Sequence, residues 1–173
     1  MAFKFNGTTI ASNYDVKFNG TSLKKIVFNG TTVWQKIEYI FNNGGLSSFN
    51  SNWETYYGIV NKSESSGDVS LTFGTIDYQY HSFIGTINKI KIPTGAKKLN
   101  IKYTATDSNR GLCIGTTKTH DTGTYTAKVD LKQSSSFITT SLDVSKYAGG
   151  SYYIYIFGAS NSVLKIDSIW FEF

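Results

Sequence analysis

Few side chains in this chain can attack, ligate or transfer a proton: one cysteine (Cys113), two histidines (His81 and His120) and twelve carboxylates. Nucleophilic catalysis requires a thiol or hydroxyl within reach of a histidine that a carboxylate orients. Cys113 instead lies in Gly111-Leu112-Cys113-Ile114-Gly115, an apolar strand pattern in which cysteine serves as a small core residue. Neither a glycine-flanked nucleophile elbow nor a phosphate-cradling loop occurs. Glycoside hydrolysis needs two facing carboxylates, and here the acidic residues are scattered singly. Two histidines and one cysteine at unrelated spacings supply too few ligands for zinc. No residue is therefore assigned a catalytic role. A polysaccharide-degrading enzyme stays as a rival that carboxylates brought together only in space would revive.

Aromatic surface is what the chain has in surplus, with 12 Tyr, 12 Phe and 3 Trp against only 17% charged residues. Sugars present flat C–H faces that stack on aromatic rings while their hydroxyls meet polar side chains, so a sugar-binding face shows more aromatics than a core requires. Three places qualify. Trp53, Tyr56 and Tyr57 follow a polar loop, and Tyr78 and Tyr80 lie in Asp77-Tyr78-Gln79-Tyr80-His81. Along residues 152–157, strand alternation sends Ile154 and Ile156 to one face and Tyr153, Tyr155 and Phe157 to the other. Trp53, Tyr56, Tyr57, Tyr78, Tyr80, Tyr153 and Tyr155 are the candidate ligand-binding residues.

These residues must be positioned by strands. A single proline, sixteen glycines and abundant Tyr, Phe and Thr favour β-strands joined by Gly and Asn turns, with almost no helix. At 173 residues the chain can bury one ordinary core without disulfides. Near the start, Phe-Asn-Gly-Thr recurs at Phe5, Phe18 and Phe28, with copies 13 and then 10 residues apart. Asn-Gly between apolar and β-branched residues signals a two-residue type I′ hairpin. For the third copy this register pairs Phe28 with Thr31, Val27 with Thr32, Ile26 with Val33 and Lys25 with Trp34. Isolated ribbons of this kind are marginal in water, so residues 1–36 either pack on the rest of the chain or dock on another protein. Phe5, Phe18, Phe28, Val33 and Trp34 are their candidate attachment residues.

Residues 37–173 read as one larger unit of short strands at sandwich-like spacing. Strands are expected at 38–42, 56–61, 69–74, 81–92 with a break, 99–106, 111–117, 124–131, 137–142, 152–158 and 163–173, with 42–52 as a loop. In the last strand Leu164 and Ile166 alternate on even numbers, but Ile169, Phe171 and Phe173 continue on odd ones. An extra residue must intervene, which predicts a β-bulge at Asp167-Ser168.

The stretch Leu142-Asp143-Val144-Ser145, then Gly149-Gly150 and Tyr152 to Ile156, closing on Ile166-Asp167-Ser168-Ile169, resembles the end of jelly-roll carbohydrate-binding and galactose-binding-like modules. The resemblance implies an all-β fold, an N-terminal β-hairpin segment followed by a jelly-roll β-sandwich, with polysaccharide as ligand. It also implies a structural calcium held by Asp167 with Glu38, although Asp167 can equally cap its own bulge. The Phe-Asn-Gly-Thr hairpins ending in Val33-Trp34 are similar to leader segments of tail, baseplate or decoration proteins encoded by phages and prophages of low-GC Gram-positive bacteria. That likeness implies a multi-copy or homo-oligomeric virion or phage-tail component, made in the host cytoplasm. Its partners would be other virion proteins and bacterial surface polysaccharide. A capsid or tail decoration protein without any ligand is the structural alternative.

Net charge is +5, yet Arg110 is the only arginine and the lysines are dispersed. Nucleic-acid sites concentrate arginine on one face, so no nucleic-acid partner is expected. The sequence also shows neither a charged-then-apolar leader nor an apolar run of membrane-spanning length, so neither export by a leader nor membrane insertion is expected.

Overall fold

A computed structural model of the protein describes residues 3–5, 8–11, 14–74, 81–119 and 124–173. Three hairpins open the chain: β1 (Phe3–Phe5) with β2 (Thr8–Ile10), β3 (Lys17–Phe18) with β4 (Thr21–Ser22), and β5 (Lys25–Phe28) with β6 (Thr31–Gln35). Asn19 and Gly20 have φ of 49° and 78°, and Asn29 and Gly30 of 47° and 75°. Both turns thus have the two positive φ angles that select Asn-Gly; the Asn6-Gly7 turn lies outside the described residues.

The third hairpin departs from its expected register. Phe28 faces Thr31 and Val27 faces Thr32, but Ile26 then faces Trp34 and Lys25 faces Gln35, so Val33 is an extra residue. Trp34 is buried, and its indole N–H donates to the Ala11 carbonyl at 3.1 Å. Trp34 is therefore an internal anchor of the hairpin segment and not the exposed attachment residue expected of it. Phe18 and Phe28, at the hairpin tips, are each 68% exposed. The side chains of Phe5 and Val33 lie outside the described residues.

The rest of the described chain forms two six-stranded antiparallel sheets. Its elements are β7 (Ile37–Asn42), α1 (Gly45–Asn50), β8 (Trp53–Tyr57), β9 (Val60–Ser65), β10 (Asp68–Phe73), β11 (His81–Thr86), β12 (Ile90–Lys91), β13 (Lys98–Ala105), β14 (Arg110–Gly115), β15 (Ala127–Asp130), β16 (Ser134–Asp143), β17 (Ser151–Ala159) and β18 (Val163–Glu172). Sheet I runs β16-β13-β18-β10-β9, with β7 also on β18; sheet II runs β15-β14-β17-β11-β8, with β12 also on β17. Val69, Leu71, Leu99, Ile101, Leu164 and Ile166 of sheet I pack against Ile84, Leu112, Ile114, Ile154 and Ile156 of sheet II, forming one continuous core. No helix among the described residues is long and apolar enough to cross a membrane.

The expected bulge is present: Lys102 pairs with Ser168 and Tyr103 with Ile166, leaving Asp167 between them, and its carbonyl accepts the Asn43 N–H at 2.8 Å. Two expectations fail. The presumed loop 42–52 contains α1, which sends Phe49 into the core to stack on Trp53 (5.1 Å between centroids, 10° between planes). The strand expected over 56–61 is broken at Gly58, whose φ of 76° turns the chain between β8 in sheet II and β9 in sheet I.

Candidate functional site: the aromatic outer face of sheet II

The second face of β17 carries Tyr153, Tyr155 and Phe157, as the alternation requires. Its neighbours supply small residues beside those rings. Tyr155 lies between Gly85 of β11 and Cys113 of β14, Phe157 between Phe83 and Gly111, and Tyr153 beside Gly115. A Cβ on Gly111 would lie 2.8 Å from Phe157 Cζ, and one on Gly115 would lie 3.1 Å from Tyr155 Cζ. These glycines let the rings of β17 spread over the adjacent strands.

At the sheet edge, Phe83 faces Tyr57 and Ile84 faces Thr55, so Tyr56 is a bulge residue. The bulge turns two successive tyrosines onto the same side. Tyr56 meets Tyr155 edge-on at 6.1 Å and Tyr57 meets Phe83 edge-on at 6.0 Å. Four expected ligand residues, Tyr56, Tyr57, Tyr153 and Tyr155, are thus gathered on one face.

The centre of this face is dry: Phe83, Cys113, Tyr155 and Phe157 are buried, while Tyr56, Tyr57 and Tyr153 are half-buried. The β14–β15 connection supplies part of the cover. Tyr125 stacks on Phe157 (5.9 Å, 5°), and the Tyr56 hydroxyl donates to the Thr119 carbonyl at 2.8 Å. The Lys118 ammonium contacts the Glu54 carboxylate and sits 5.0 Å from the Tyr153 ring centroid. Burial pushes the Cys113 thiol and the Tyr155 phenol well above their ordinary values; burial first, then Tyr155 and Tyr125, does the same to Tyr56. A thiol held protonated in this way is not a nucleophile at neutral pH.

A cleft of about 340 Å³ opens at the Phe157 end, lined by His81, Ser108, Asn109, Arg110, Lys128, Asp130 and Phe157. His81 stands edge-on to Phe157 at 5.1 Å, and its Nε2 is 3.1 Å from Asn109 Oδ1. Lys128 and Asp130 pair at 3.1 Å. The buried Arg110 guanidinium donates to the Val163 carbonyl at 2.7 Å and lies 2.8 Å from the Asp107 carboxylate, fixing the loop that forms one wall. Burial lowers the Arg110 pKa and Asp107 opposes that shift.

An aromatic floor beside polar groups of balanced charge suits a ligand with apolar faces and polar edges. Glu54 and Asp130 lie on opposite edge strands of sheet II, four strand spacings apart. At about 4.8 Å per spacing that is about 19 Å, beyond the separations at which paired carboxylates act on a glycosidic bond.

Other expected site residues fall elsewhere. Trp53 is in the sandwich core and not on a ligand face, because it pairs with Thr86 on the inward side of β8. Tyr78 and Tyr80 lie outside the described residues. Asp167 is 3.3 Å from the Lys102 ammonium and Glu38 is 2.8 Å from that of Lys36. Glu38 faces Phe171, four residues beyond Asp167, so the two carboxylates are offset along the sheet. Among the described residues no three His, Cys, Asp or Glu side chains come together as a metal site. Sequence reasoning passed over Phe83, Tyr125 and the His81–Asn109 wall. The signal that could have found Phe83 is the alternation of Phe83-x-Gly85 and of Gly111-x-Cys113-x-Gly115, two runs with small residues on one face that flank β17 on either side.

The sheets, their order and the packed core define a jelly-roll β-sandwich. No protein-family model matches the sequence, and no curated protein matches it. Solved structures of family 29 carbohydrate binding modules share the fold. One such module is 12% identical with a TM-score of 0.54, over 79% of this chain and 88% of that one. A CBM29-2 variant complexed with mannohexaose is also 12% identical, with a TM-score of 0.54 over 79% and 91% of the two chains. Another, complexed with cellulohexaose, is 13% identical with a TM-score of 0.52 over 79% and 90%. At this identity the likeness is one of fold.

Proposed function

We propose that this protein is a non-catalytic polysaccharide-binding module whose ligand contacts the rim of the aromatic outer face of sheet II, at the half-buried rings of Tyr153 and Tyr57 and at the cleft beside Phe157. The observation that carries the reading is a sheet face given over to aromatic rings outside the sandwich core, with a polar cleft of balanced charge at its end. Pyranose C–H faces stack on such rings, and His81, Asn109 and Lys128 meet hydroxyls. The fold likeness to modules complexed with mannohexaose and cellulohexaose supports the class of ligand.

The finer part of the proposal concerns display. Residues 1–36 anchor the module to a multi-copy assembly through the exposed rings of Phe18 and Phe28. The assembly that the hairpin resemblance implies is a phage tail, baseplate or decorated capsid, and the ligand is then a bacterial surface polysaccharide. Many copies make a weak site sufficient, because effective concentration raises avidity without new contacts.

Calorimetric titration with purified cell-wall polysaccharide tests the site. Tyr153→Ala and Tyr57→Ala should each weaken binding about three- to tenfold, the loss expected for one stacking ring, while Phe18→Ala and Phe28→Ala leave it unchanged. Full affinity in the Tyr57/Tyr153 double variant would refute the assignment.

A further inference from the structure

We propose that the outer face of sheet I carries a second, separate sugar platform, built on Tyr39 and Trp170 and taking neutral hexopyranose units of a polysaccharide chain. One rung crosses four strands: Ser141 of β16 pairs with Asn100 of β13, Asn100 with Trp170 of β18, and Trp170 with Tyr39 of β7. The two rings are 6.3 Å apart and inclined at 50°, and Tyr39 is 42% exposed. Trp34 and Trp53 are buried, whereas Trp170 is half-buried.

Polar groups beside the rings are held in place. Asn100, only 1% exposed, accepts the Ser141 hydroxyl at 2.6 Å and donates to Glu172 Oε2 at 3.2 Å. The other Glu172 oxygen is 3.6 Å from the Lys98 ammonium. Lys102 pairs with Asp167 on the far side of Trp170. Each charge flanking the rings therefore has an opposite charge, which favours a neutral ligand over an acidic or basic polymer.

The apolar area is two rings wide and bordered by ion pairs. A stable protein interface needs about 800 Å² from each partner, far more than two part-covered rings supply, whereas a pyranose face is matched in size and its hydroxyls reach Glu172 and Lys98. β7 ends the sheet here, and a cleft of about 340 Å³ shares Tyr39 and adds Glu38, Asn52 and Lys91. A polymer leaving the platform meets further hydrogen-bonding groups there. This face is on the opposite side of the sandwich from the sheet II site and does not depend on it.

The three indole N–H signals of the nitrogen-15-labelled full chain test the proposal, with mannohexaose and cellohexaose as probes. The Trp170 signal should shift along a saturating curve at millimolar sugar while that of Trp53 stays still. Trp170→Ala and Tyr39→Ala should weaken this second phase of binding about tenfold, and Glu172→Gln should weaken it several-fold. If Trp170→Ala does not fold, Tyr39→Ala, on an exposed ring, carries the test. Tyr153→Ala should leave the Trp170 response intact. A Trp170 signal that stays put with both sugars, or one that responds only when Tyr153 is present, would overturn the second platform. In the latter case the sheet II reading would stand.

Discussion

Burial of Cys113, Tyr56 and Tyr155 ties the aromatic face to stability. Each group is neutral in the folded protein, with its pKa raised above the ordinary 9.0 for the thiol and 10.0 for the phenols. A raised acid pKa contributes stability that is fully present below the unfolded value and is lost as pH rises past it, because only the unfolded chain then releases its proton. The urea midpoint should accordingly be flat near neutrality and decline above about pH 9. Cys113→Ala should remove the first part of that decline. A midpoint unchanged up to pH 11 would contradict the buried, protonated assignment.

Among the elements, the bulge in β18 decides which residues face solvent. Leu164 and Ile166 precede it, Ile169 and Phe171 follow it, and all four are buried. If Asp167 took a regular place in the alternation instead of bulging, Trp170 would turn inward in place of Ile169 and Phe171. Inserting one alanine between Ser168 and Ile169, which sends Ile169 and Phe171 to the outer face, should therefore abolish the sharp thermal transition seen by circular dichroism. Asp167→Ala, which keeps the residue count and loses a part-exposed pair with Lys102, should cost less than about 1 kcal/mol. Comparable losses from the two variants would mean that register plays no such role. The bulge at Tyr56 follows the same logic at the sheet II edge, where it aligns Tyr56 and Tyr57 on one face.

For the whole molecule, the link between the hairpins and the sandwich is narrow among the described residues. Gln35 donates to the Phe173 carbonyl at 2.7 Å, and the Lys24 and Lys36 ammonium groups lie 4.2 and 5.4 Å from the Phe173 ring centroid. A chain of residues 37–173 should retain the sandwich and its polysaccharide affinity, with stability reduced by about 1 to 3 kcal/mol for one hydrogen bond, two cation–π contacts and the Lys36–Glu38 ion pair. Guanidinium denaturation of the truncated and full chains measures the difference. Loss of the cooperative transition on truncation would show the two parts to be one folding unit.

The sequence by itself determined the properties that depend on neighbours along the chain. Asn19-Gly20 and Asn29-Gly30 require positive φ, residues 152–157 alternate strictly between two faces, and the phase change after Ile166 demands an extra residue. The all-β sandwich and the outward set Tyr153, Tyr155 and Phe157 follow from those local rules. Only the tertiary structure decided which aromatic residues meet. Trp53 and Tyr56 are three residues apart, yet one fills the core and the other lies on the outer face. Periodicity records that a residue changes side, while its environment depends on which distant strand lies opposite. The rung from Ser141 through Asn100 and Trp170 to Tyr39 draws on sequence from position 39 to position 170, and only antiparallel pairing across sheet I sets it in line.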